Sequence, residues 1–280
     1  MKKIIAMLLA LILVLTCFAA CGSAPAADEA GSNDAVQVDD SQTADDGSDL
    51  AFVQSNGKLV VGITDYAPMD YKDDNGEWTG FDAEFARLFA EELGVECEFF
   101  VLADWGKKIF ELDSKNIDCV WNGMTITEEI LLTSSVSDPY VINAQVVVMK
   151  ADVVGNYADA ESMKDLTFAV ESGSAGEAAL NDAGLTKYVA VQDQGAAVME
   201  VAAGTSDACV IDITMANAMT GEGTSYADLT YNVSLTEEEY GVSFRKDSDL
   251  TAKFNEFMAS LKVDGTLQEL AAKYELTLAD

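Results

Sequence analysis

Short apolar runs alternate with amphipathic stretches along the chain from residue 51 onward. An apolar run of about four to eight residues between polar or glycine-containing turns is typical of a buried strand, whereas apolar residues at every third or fourth position are typical of a helix. These patterns predict strands at 59–63, 95–102, 117–121, 140–149, 166–170, 188–191, 208–211 and 240–244. They predict helices at 81–93, 105–112, 250–261 and 267–274, and further helices that begin near Ser174, Gly195 and Asp212.

The alternation of strands and helices favours an α/β fold, in which helices cover the faces of parallel sheets. Residues 51–280 are too many for one typical hydrophobic core and suit two lobes. Polar turns follow the strands at 117–121 and 166–170, and both turns contain glycine and precede a helix-compatible segment. Because open α/β sheets bind small ligands at the carboxyl ends of their strands, these turns predict a ligand site.

The N-terminus has the features of a secretory signal. Lys2 and Lys3 precede an apolar run, and the small residues Ala19 and Ala20 stand directly before Cys21. The pattern predicts a signal peptide over residues 1–20 and resembles a lipobox, in which Cys21 becomes the lipidated first residue of the mature chain. An uncleaved membrane anchor is the alternative. Both readings place the rest of the chain outside the cytoplasm at the membrane surface, and the first one anchors it through Cys21.

Residues 21–50 are predicted to be a disordered tether. The segment is rich in Ala, Ser, Gly and Asp, carries no basic residue and shows no apolar periodicity. Such a composition cannot bury enough apolar surface to offset the entropy of ordering.

Composition excludes several classes of function. The chain has 49 acidic and 16 basic residues, a net charge of −33, so it lacks the basic surface that nucleic acid requires. It contains no His, which removes the commonest metal ligand and the commonest general base. We therefore expect no metal, no cofactor, no nucleic-acid partner and no enzymatic activity.

Cysteine usage leaves one question open. Cys97 and Cys119 lie in two predicted strands that can be neighbours, so a disulfide between them is one interpretation. Buried free thiols, with Cys209 as a third, are the favoured one.

Eight segments carry a resemblance to a known family. They are YAPMDY at 66–71, NGEWTGFDAEFARLFAEELG at 75–94, ADWGKKIFEL at 103–112, NGMTIT at 122–127, SDPY at 137–140, ESGSAGEAAL at 171–180, DACVID at 207–212 and YGVSFRK at 240–246. In this order and spacing they resemble the extracellular solute-binding proteins of family 3, which deliver polar amino acids to ABC transporters. The resemblance covers roughly residues 57–275.

The resemblance implies a two-lobe, type II periplasmic-binding-protein-like fold with a central ligand cleft and a two-strand hinge. Lobe 1 would comprise residues 51–146 and 239–280, and lobe 2 residues 147–238. The chain would cross between the lobes near 145–150 and 237–241. Ligand in the cleft would stabilise the closed form.

It also implies roles for individual residues. Tyr66 would place a ring over the ligand's side chain, with Trp105 as the opposing ring; either could instead be a core aromatic. Gly123 and Thr125 would bind an ammonium group, although Thr125 also suits a capped helix start. Asp212 would receive the α-amino group or, alternatively, cap the following helix.

In lobe 2, the glycine-rich turn that opens a helix at Ser174 would point N–H groups into the cleft and favour an anion there. The complete candidate set is Tyr66, Trp105, Asn122, Gly123, Met124, Thr125, Glu171, Gly173, Ser174, Ala175 and Asp212.

Two positions depart from the family pattern. Ile130 stands where relatives place an Arg that binds the ligand's carboxylate, and Glu171 stands where relatives often have Gln. Because a hydrogen bond to a charged group contributes about 1.5–3 kcal/mol, losing the Arg would weaken carboxylate binding about tenfold to a hundredfold. The changes favour a cargo that is less anionic or more cationic than an ordinary amino acid, provided that Glu171 faces the cleft and not solvent.

The sequence thus predicts a monomeric substrate-binding lipoprotein that captures a polar amino acid or a related amine and delivers it to the permease subunits of an ABC importer. A ligand-sensing receptor with the same fold is an alternative. An enzyme of the dehydratase type on the same scaffold is a further one, with Glu171 as its only reasonable acid–base group.

Overall fold

The computed structural model describes residues 47–280. The predicted signal peptide, the lipidation site Cys21 and most of the predicted tether lie outside these residues. Within the described range, no helix combines the length and the apolar character needed to cross a bilayer.

The described residues form helices and strands in mixed order. The helices are α1 (Asp49–Asn56), α2 (Phe81–Leu93), α3 (Lys108–Asp113), α4 (Glu128–Thr133), α5 (Ala175–Asp182), α6 (Gln194–Ala203), α7 (Ile213–Met219), α8 (Leu250–Asp264) and α9 (Thr266–Lys273), with short 3₁₀ turns at Trp105–Lys107, Val154–Asn156 and Glu161–Met163. The strands are β1 (Lys58–Ile63), β2 (Tyr71–Lys72), β3 (Trp78–Thr79), β4 (Glu96–Val101), β5 (Cys119–Val120), β6 (Ser135–Val136), β7 (Val141–Asn143), β8 (Gln145–Lys150), β9 (Phe168–Glu171), β10 (Tyr188–Val191), β11 (Ala208–Asp212), β12 (Leu229–Ser234), β13 (Glu238–Tyr240) and β14 (Ser243–Phe244).

Two five-stranded sheets organise the molecule. The first has the strand order β4-β1-β5-β14-β6 and the second β10-β9-β11-β8-β12. In the first sheet β1 is parallel to β4 and β5, and β14 is antiparallel to both of its neighbours. In the second sheet β9 is parallel to β10 and β11, whereas β8 is antiparallel to β11 and β12. The sheets are therefore mixed, because β14 and β8 enter them directly from a crossing rather than through a helix.

The chain crosses between the sheets twice, and the crossings lie side by side. Strand β7 leads from the first sheet through Ala144 into β8, and β13 leads back from β12. β7 and β13 pair antiparallel, with Val141 opposite Tyr240 and Asn143 opposite Glu238. Two sheets joined by a two-stranded connection confirm the predicted fold class.

The predicted strand at 140–149 is broken at Ala144 rather than continuous, since the chain changes sheet there.

The predicted tether extends too far toward the domain. Helix α1 begins at Asp49, and the Ser48 hydroxyl accepts a hydrogen bond from the Ala51 N–H at 3.0 Å as its N-cap. The Asp49 carboxylate pairs with the buried guanidinium of Arg245, Nε to Oδ1 2.9 Å. Arg245 also pairs with Asp118 at 3.0 Å. Residues 49 and 50 are therefore part of the folded domain, because burial and ion pairing offset the entropy of ordering them.

An aromatic core fixes the position of the first sheet. α2 ends at Gly94 in the left-handed conformation expected of a C-cap. Its Phe85 packs edge-on against Trp121, with ring centroids 4.9 Å apart, and Phe254 of α8 packs against the same indole at 4.9 Å. Trp121 is thus a core residue, and it holds the turn that follows β5.

The cysteines within residues 47–280, which are Cys97, Cys119 and Cys209, are free thiols. β1 lies between β4 and β5, with Leu59 opposite Cys97 and Val61 opposite Cys119. Two strand spacings amount to about 9.5 Å, which is beyond the Cα–Cα reach of a disulfide, about 7 Å. The favoured reading of buried thiols is confirmed for Cys119 and Cys209, and Cys97 is half-buried.

Candidate functional site

A cavity of about 550 Å³ lies between the two sheets. Both lobes contribute to its wall, and one member of the candidate set, Tyr66, is not among the lining residues. The ten candidates that line it are Trp105, Asn122, Gly123, Met124, Thr125, Glu171, Gly173, Ser174, Ala175 and Asp212.

The cavity lies at the carboxyl ends of the central strands. Glu171 is the last residue of β9, Asp212 is the last residue of β11, and Asn122 follows the strand β5. The Asn122 amide fixes its turn by donating to the Thr64 hydroxyl at 2.7 Å and accepting from the Thr64 N–H at 2.8 Å. This is the position at which open α/β sheets bind ligands.

Gly123 must be glycine. Its φ is +55°, and a Cβ at this position would lie 2.6 Å from Cε1 of Tyr66. Its N–H donates to Oδ2 of Asp82 at 2.6 Å, and Tyr140 donates to the same oxygen at 2.9 Å. Burial raises the pKa of the Asp82 carboxyl to about 7. The turn at Gly123, which lines the cavity, is therefore held by a hydrogen bond to a buried acid of α2.

The structure differs from the prediction at Tyr66. Its ring packs against the Gly123 backbone and is almost fully buried. Its hydroxyl makes hydrogen bonds of 2.5 Å to the hydroxyls of Thr214 and Tyr240. Tyr66 thus lies behind the cavity wall and joins the two lobes, because the missing side chain at Gly123 lets the ring pass beneath the turn.

Asp212 is buried and surrounded by side-chain amides. Gln145 donates to its Oδ1 at 2.7 Å, Asn143 donates to the same oxygen, and Gln194 donates to Oδ2. Burial, followed by the nearby charge of Glu238, raises the pKa of the Asp212 carboxyl to about 7, while the amide hydrogen bonds act in the opposite direction. Its side chain does not cap α7, so the helix-cap alternative is wrong.

A second carboxylate, Glu238, was missed from the sequence. Its Oε1 accepts hydrogen bonds from the Thr125 hydroxyl at 2.8 Å and from the amides of Asn143 and Gln145 at 2.7 Å each. The Thr125 hydroxyl therefore already donates its proton to an acceptor at the hinge, in addition to lining the cavity. The polar residues Asn143 and Gln145 within an otherwise apolar run were the signals of this network in the sequence.

Glu171 faces the cavity and not solvent. It is 5% exposed, and its Oε1 has no hydrogen-bond partner among the described residues. Burial, with the nearby acids Asp212 and Asp193, raises the pKa of the Glu171 carboxyl to about 8, which leaves it largely protonated at neutral pH.

Lys108 is a cavity residue that the sequence reasoning missed. It lines the same cavity as Glu171, and its ammonium stands 4.6 Å from the centroid of the Trp105 ring. Burial lowers the pKa of the Lys108 ammonium to about 8, although the nearby acids Glu171 and Glu129 act to raise it. The signal available in the sequence was a lysine three residues after Trp105, on the face of the segment that carries the aromatic.

No arginine lines the cavity, although the family resemblance implies one at position 130. Ile130 lines the wall at that position. Of the two arginines in the sequence, Arg87 donates to the Trp78 carbonyl at 2.6 Å on an exposed face of α2, and Arg245 is committed to its buried ion pairs. Neither lines the cavity.

The second lobe presents the start of α5. The Ser174 hydroxyl caps this helix by accepting from the Glu177 N–H at 3.2 Å, and the Gly173 N–H donates to the Glu177 carboxylate at 2.7 Å. A Cβ at Gly173 would lie 2.8 Å from the Cα of Gly106, so the lobes meet here backbone to backbone. Among the described residues, no three His, Cys, Asp or Glu side chains are grouped closely enough to hold a metal ion.

Comparison with known proteins agrees with this geometry. Residues 59–277 match the family described as bacterial extracellular solute-binding proteins, family 3. The chain is 31% identical over 235 residues to the L-cystine-binding protein TcyJ of Escherichia coli (strain K12), covering 82% of this chain and 87% of the relative. It is 32% identical over 228 residues to the arginine-binding extracellular protein ArtP of Bacillus subtilis (strain 168), covering 78% and 86%.

A solved structure gives the same result. The P235GK mutant of ArgBP from T. maritima superposes with a TM-score of 0.75 at 32% identity, covering 81% of this chain and 98% of that one. The matched family, the two relatives and the shared two-lobe fold agree with one another. The chain belongs to the bacterial extracellular solute-binding proteins of family 3.

Proposed function

We propose that this chain is the substrate-binding lipoprotein of an ABC importer, which captures a polar amino acid between its lobes and delivers it to a membrane permease. The observation that carries the proposal is the Asp212 carboxylate, buried at the end of β11 and lining a cavity of about 550 Å³. A buried carboxylate needs a cationic partner to remain charged, and an α-ammonium group is such a partner.

The remaining wall suits the rest of an amino acid. Trp105 offers an indole face on the first lobe, which can stack on an apolar or cationic side chain. The relatives named above are described as binding cystine and arginine. An amino acid with a polar side chain is therefore the class of ligand that we propose for this chain.

We test ligand binding by isothermal titration calorimetry of the full chain, purified in mild detergent, against the common amino acids. Asp212→Ala should abolish binding, because the α-ammonium group loses its only charged acceptor at the end of β11. Asp152→Asn, a substitution on the exposed surface of the second lobe, should leave binding unchanged. Binding that survives Asp212→Ala would refute this site.

The proposed lipid anchor has its own test. Cys21→Ser should move the chain from the membrane fraction to the soluble fraction and remove the acyl groups detected by mass spectrometry of the N-terminal peptide. A single acyl chain binds membranes only marginally, so stable retention requires more than one. Retention of the variant in the membrane would favour an uncleaved anchor.

Import is distinguished from sensing in cells. Deleting the gene should abolish uptake of the radiolabelled amino acid that the purified chain binds. Uptake that continues in the deletion strain would favour the receptor alternative.

A lyase-type enzyme is the second candidate, because Glu171 and Lys108 are buried in one cavity and both have a pKa of about 8. Groups of this kind are suited to proton transfer near neutral pH. We propose binding without chemical change: the ligand's mass should be the same before and after incubation with the chain. A product that disappears with Glu171→Gln would establish the enzyme instead.

A further inference from the structure

No guanidinium lines the cavity at position 130, where the family resemblance implies one for the ligand's carboxylate, yet a buried cation from another element does line it. Lys108 belongs to α3 of the first lobe, is 9% exposed and lines the cavity together with Ile130. Its ammonium group lies beside Trp105, whereas an arginine at position 130 would lie on α4.

The Lys108 ammonium has little to hold it within the protein. It has three N–H donors, and its one hydrogen bond, to the Trp105 carbonyl, is long at 3.4 Å. Among the described residues, no carboxylate is close enough to form an ion pair with it. Its neighbour Lys107 is exposed and pairs with Asp104 at 3.1 Å. A buried ammonium with unused donors and no ion pair can therefore accept an anionic ligand group as its partner.

The start of α5, on the opposite wall of the cavity, also favours an anion. Ala175, the first residue of α5, lines the cavity, and no described residue accepts a hydrogen bond from its N–H. The start of a helix attracts anions because its first N–H groups and its dipole both point outward. An anionic group between Lys108 and the start of α5 would therefore be held from both lobes.

We propose that Lys108 replaces the missing arginine and binds the carboxylate of the bound amino acid. This inference rests on the proposed function, and it narrows the ligand to one with a free carboxylate, held there at one end and by Asp212 at its amino group. It differs from the expectation, drawn from Ile130 and Glu171, of a cargo that is less anionic than an ordinary amino acid.

The test uses matched pairs of ligands. The full chain is titrated with L-arginine, L-lysine, L-histidine and L-cystine, and with agmatine, cadaverine, histamine and cystamine, which are the same molecules without their carboxylates. The wild-type chain should bind at least one amino acid about tenfold to a hundredfold more tightly than its amine.

Lys108→Met should abolish this preference by weakening the amino acid and not the amine. Lys108→Arg should keep it, and Lys108→Met combined with Ile130→Arg should restore it. Lys107→Met is the matched control and should behave as wild type. Lys108→Gln is measured in parallel, so that the result does not depend on the folding of one variant.

The outcomes separate the two proposals. If the wild-type chain binds neither these four nor any other common amino acid, the proposed function fails and this inference fails with it. If it binds an amino acid but the Lys108 variants keep the preference over the amine, only the inference is overturned. A wild-type preference for the amine also overturns the inference while leaving a ligand-binding function in place.

Discussion

Gly123 has little freedom to change, because it lies between a buried ring and the ligand cavity. A Cβ there would approach Cε1 of Tyr66 to 2.6 Å and Cε2 of Tyr240 to 3.1 Å, and φ is +55°. The turn that carries Asn122 and Thr125 therefore depends on one residue without a side chain.

We expect Gly123→Ala to destabilise the protein by about 1–3 kcal/mol, because both backbone strain and overpacking cost this much. It should also weaken ligand binding, since the turn must move away from Tyr66. Urea unfolding and calorimetry measure the two effects. Gly155→Ala is the control: a Cβ there meets no atom within 4 Å, so wild-type stability is expected. Equal stability of the two variants would contradict the steric argument.

Ten of the eleven candidate residues line the cavity, because the ends of the strands that carry them come together between the two sheets. Lys108, Gln194 and Glu238 were not predicted from the sequence. Each is a polar residue whose place in the sequence does not show which side chains of the other lobe lie near it. The fold brings Lys108 and Gln194 to the cavity and Glu238 to the hinge. For Tyr66 the structure favours the alternative of a core aromatic, because its buried ring passes under Gly123, which the sequence does not show.

At the scale of elements, Arg245 joins three parts of the first lobe. It follows β14, pairs with Asp49 of α1 and with Asp118 before β5, and donates to the Ile117 carbonyl at 2.7 Å. Its side chain is buried, and it supplies the cation to both carboxylates.

We expect Arg245→Met to lower the free energy of unfolding by about 3–5 kcal/mol, because it leaves two buried carboxylates without their cation. Arg87→Met, at an exposed position, should change it by less than about 1 kcal/mol. Urea denaturation of both variants measures the two changes in the free energy of unfolding. A small effect of Arg245→Met would show that water reaches Asp49 and Asp118.

The bounds of α2 and β10 follow from the sequence alone, since glycine at both ends delimits α2 and an apolar run between turns delimits β10. The predicted strand at 240–244 is two strands, because the chain leaves the hinge at Gly241 before joining the first sheet. Strand β12 has too many polar residues to resemble a buried strand, and it is recognised only by its pairing with β8. Local pattern therefore predicts elements, but not where the chain changes sheet.

At the scale of the whole molecule, several carboxyls resist ionisation in the folded state. Burial raises the pKa of Asp82 and of Asp212 to about 7, and that of Glu171 to about 8. In the unfolded chain these groups ionise near pH 4. The folded state thus binds more protons between pH 5 and 7.5, so stability falls as the pH rises through this range.

We expect the free energy of unfolding to be lower at pH 7.5 than at pH 5 by at least about 2 kcal/mol, since one unit of pKa difference corresponds to about 1.4 kcal/mol. Denaturant titrations at constant ionic strength measure it. Asp82→Asn, which cannot ionise, should flatten the dependence. A stability that increases from pH 5 to 7.5 would contradict the burial of these acids.

The bare contact between Gly106 and Gly173 limits how the two lobes can separate. Because neither residue has a side chain, no rotamer change can open this seam, and only a rigid rotation of one lobe away from the other can do so. Side chains reorient in picoseconds to nanoseconds, whereas hinge motions take microseconds to milliseconds. Under the proposed function, release of a bound ligand would therefore follow the slower hinge motion, and a permease that separated the lobes would control it.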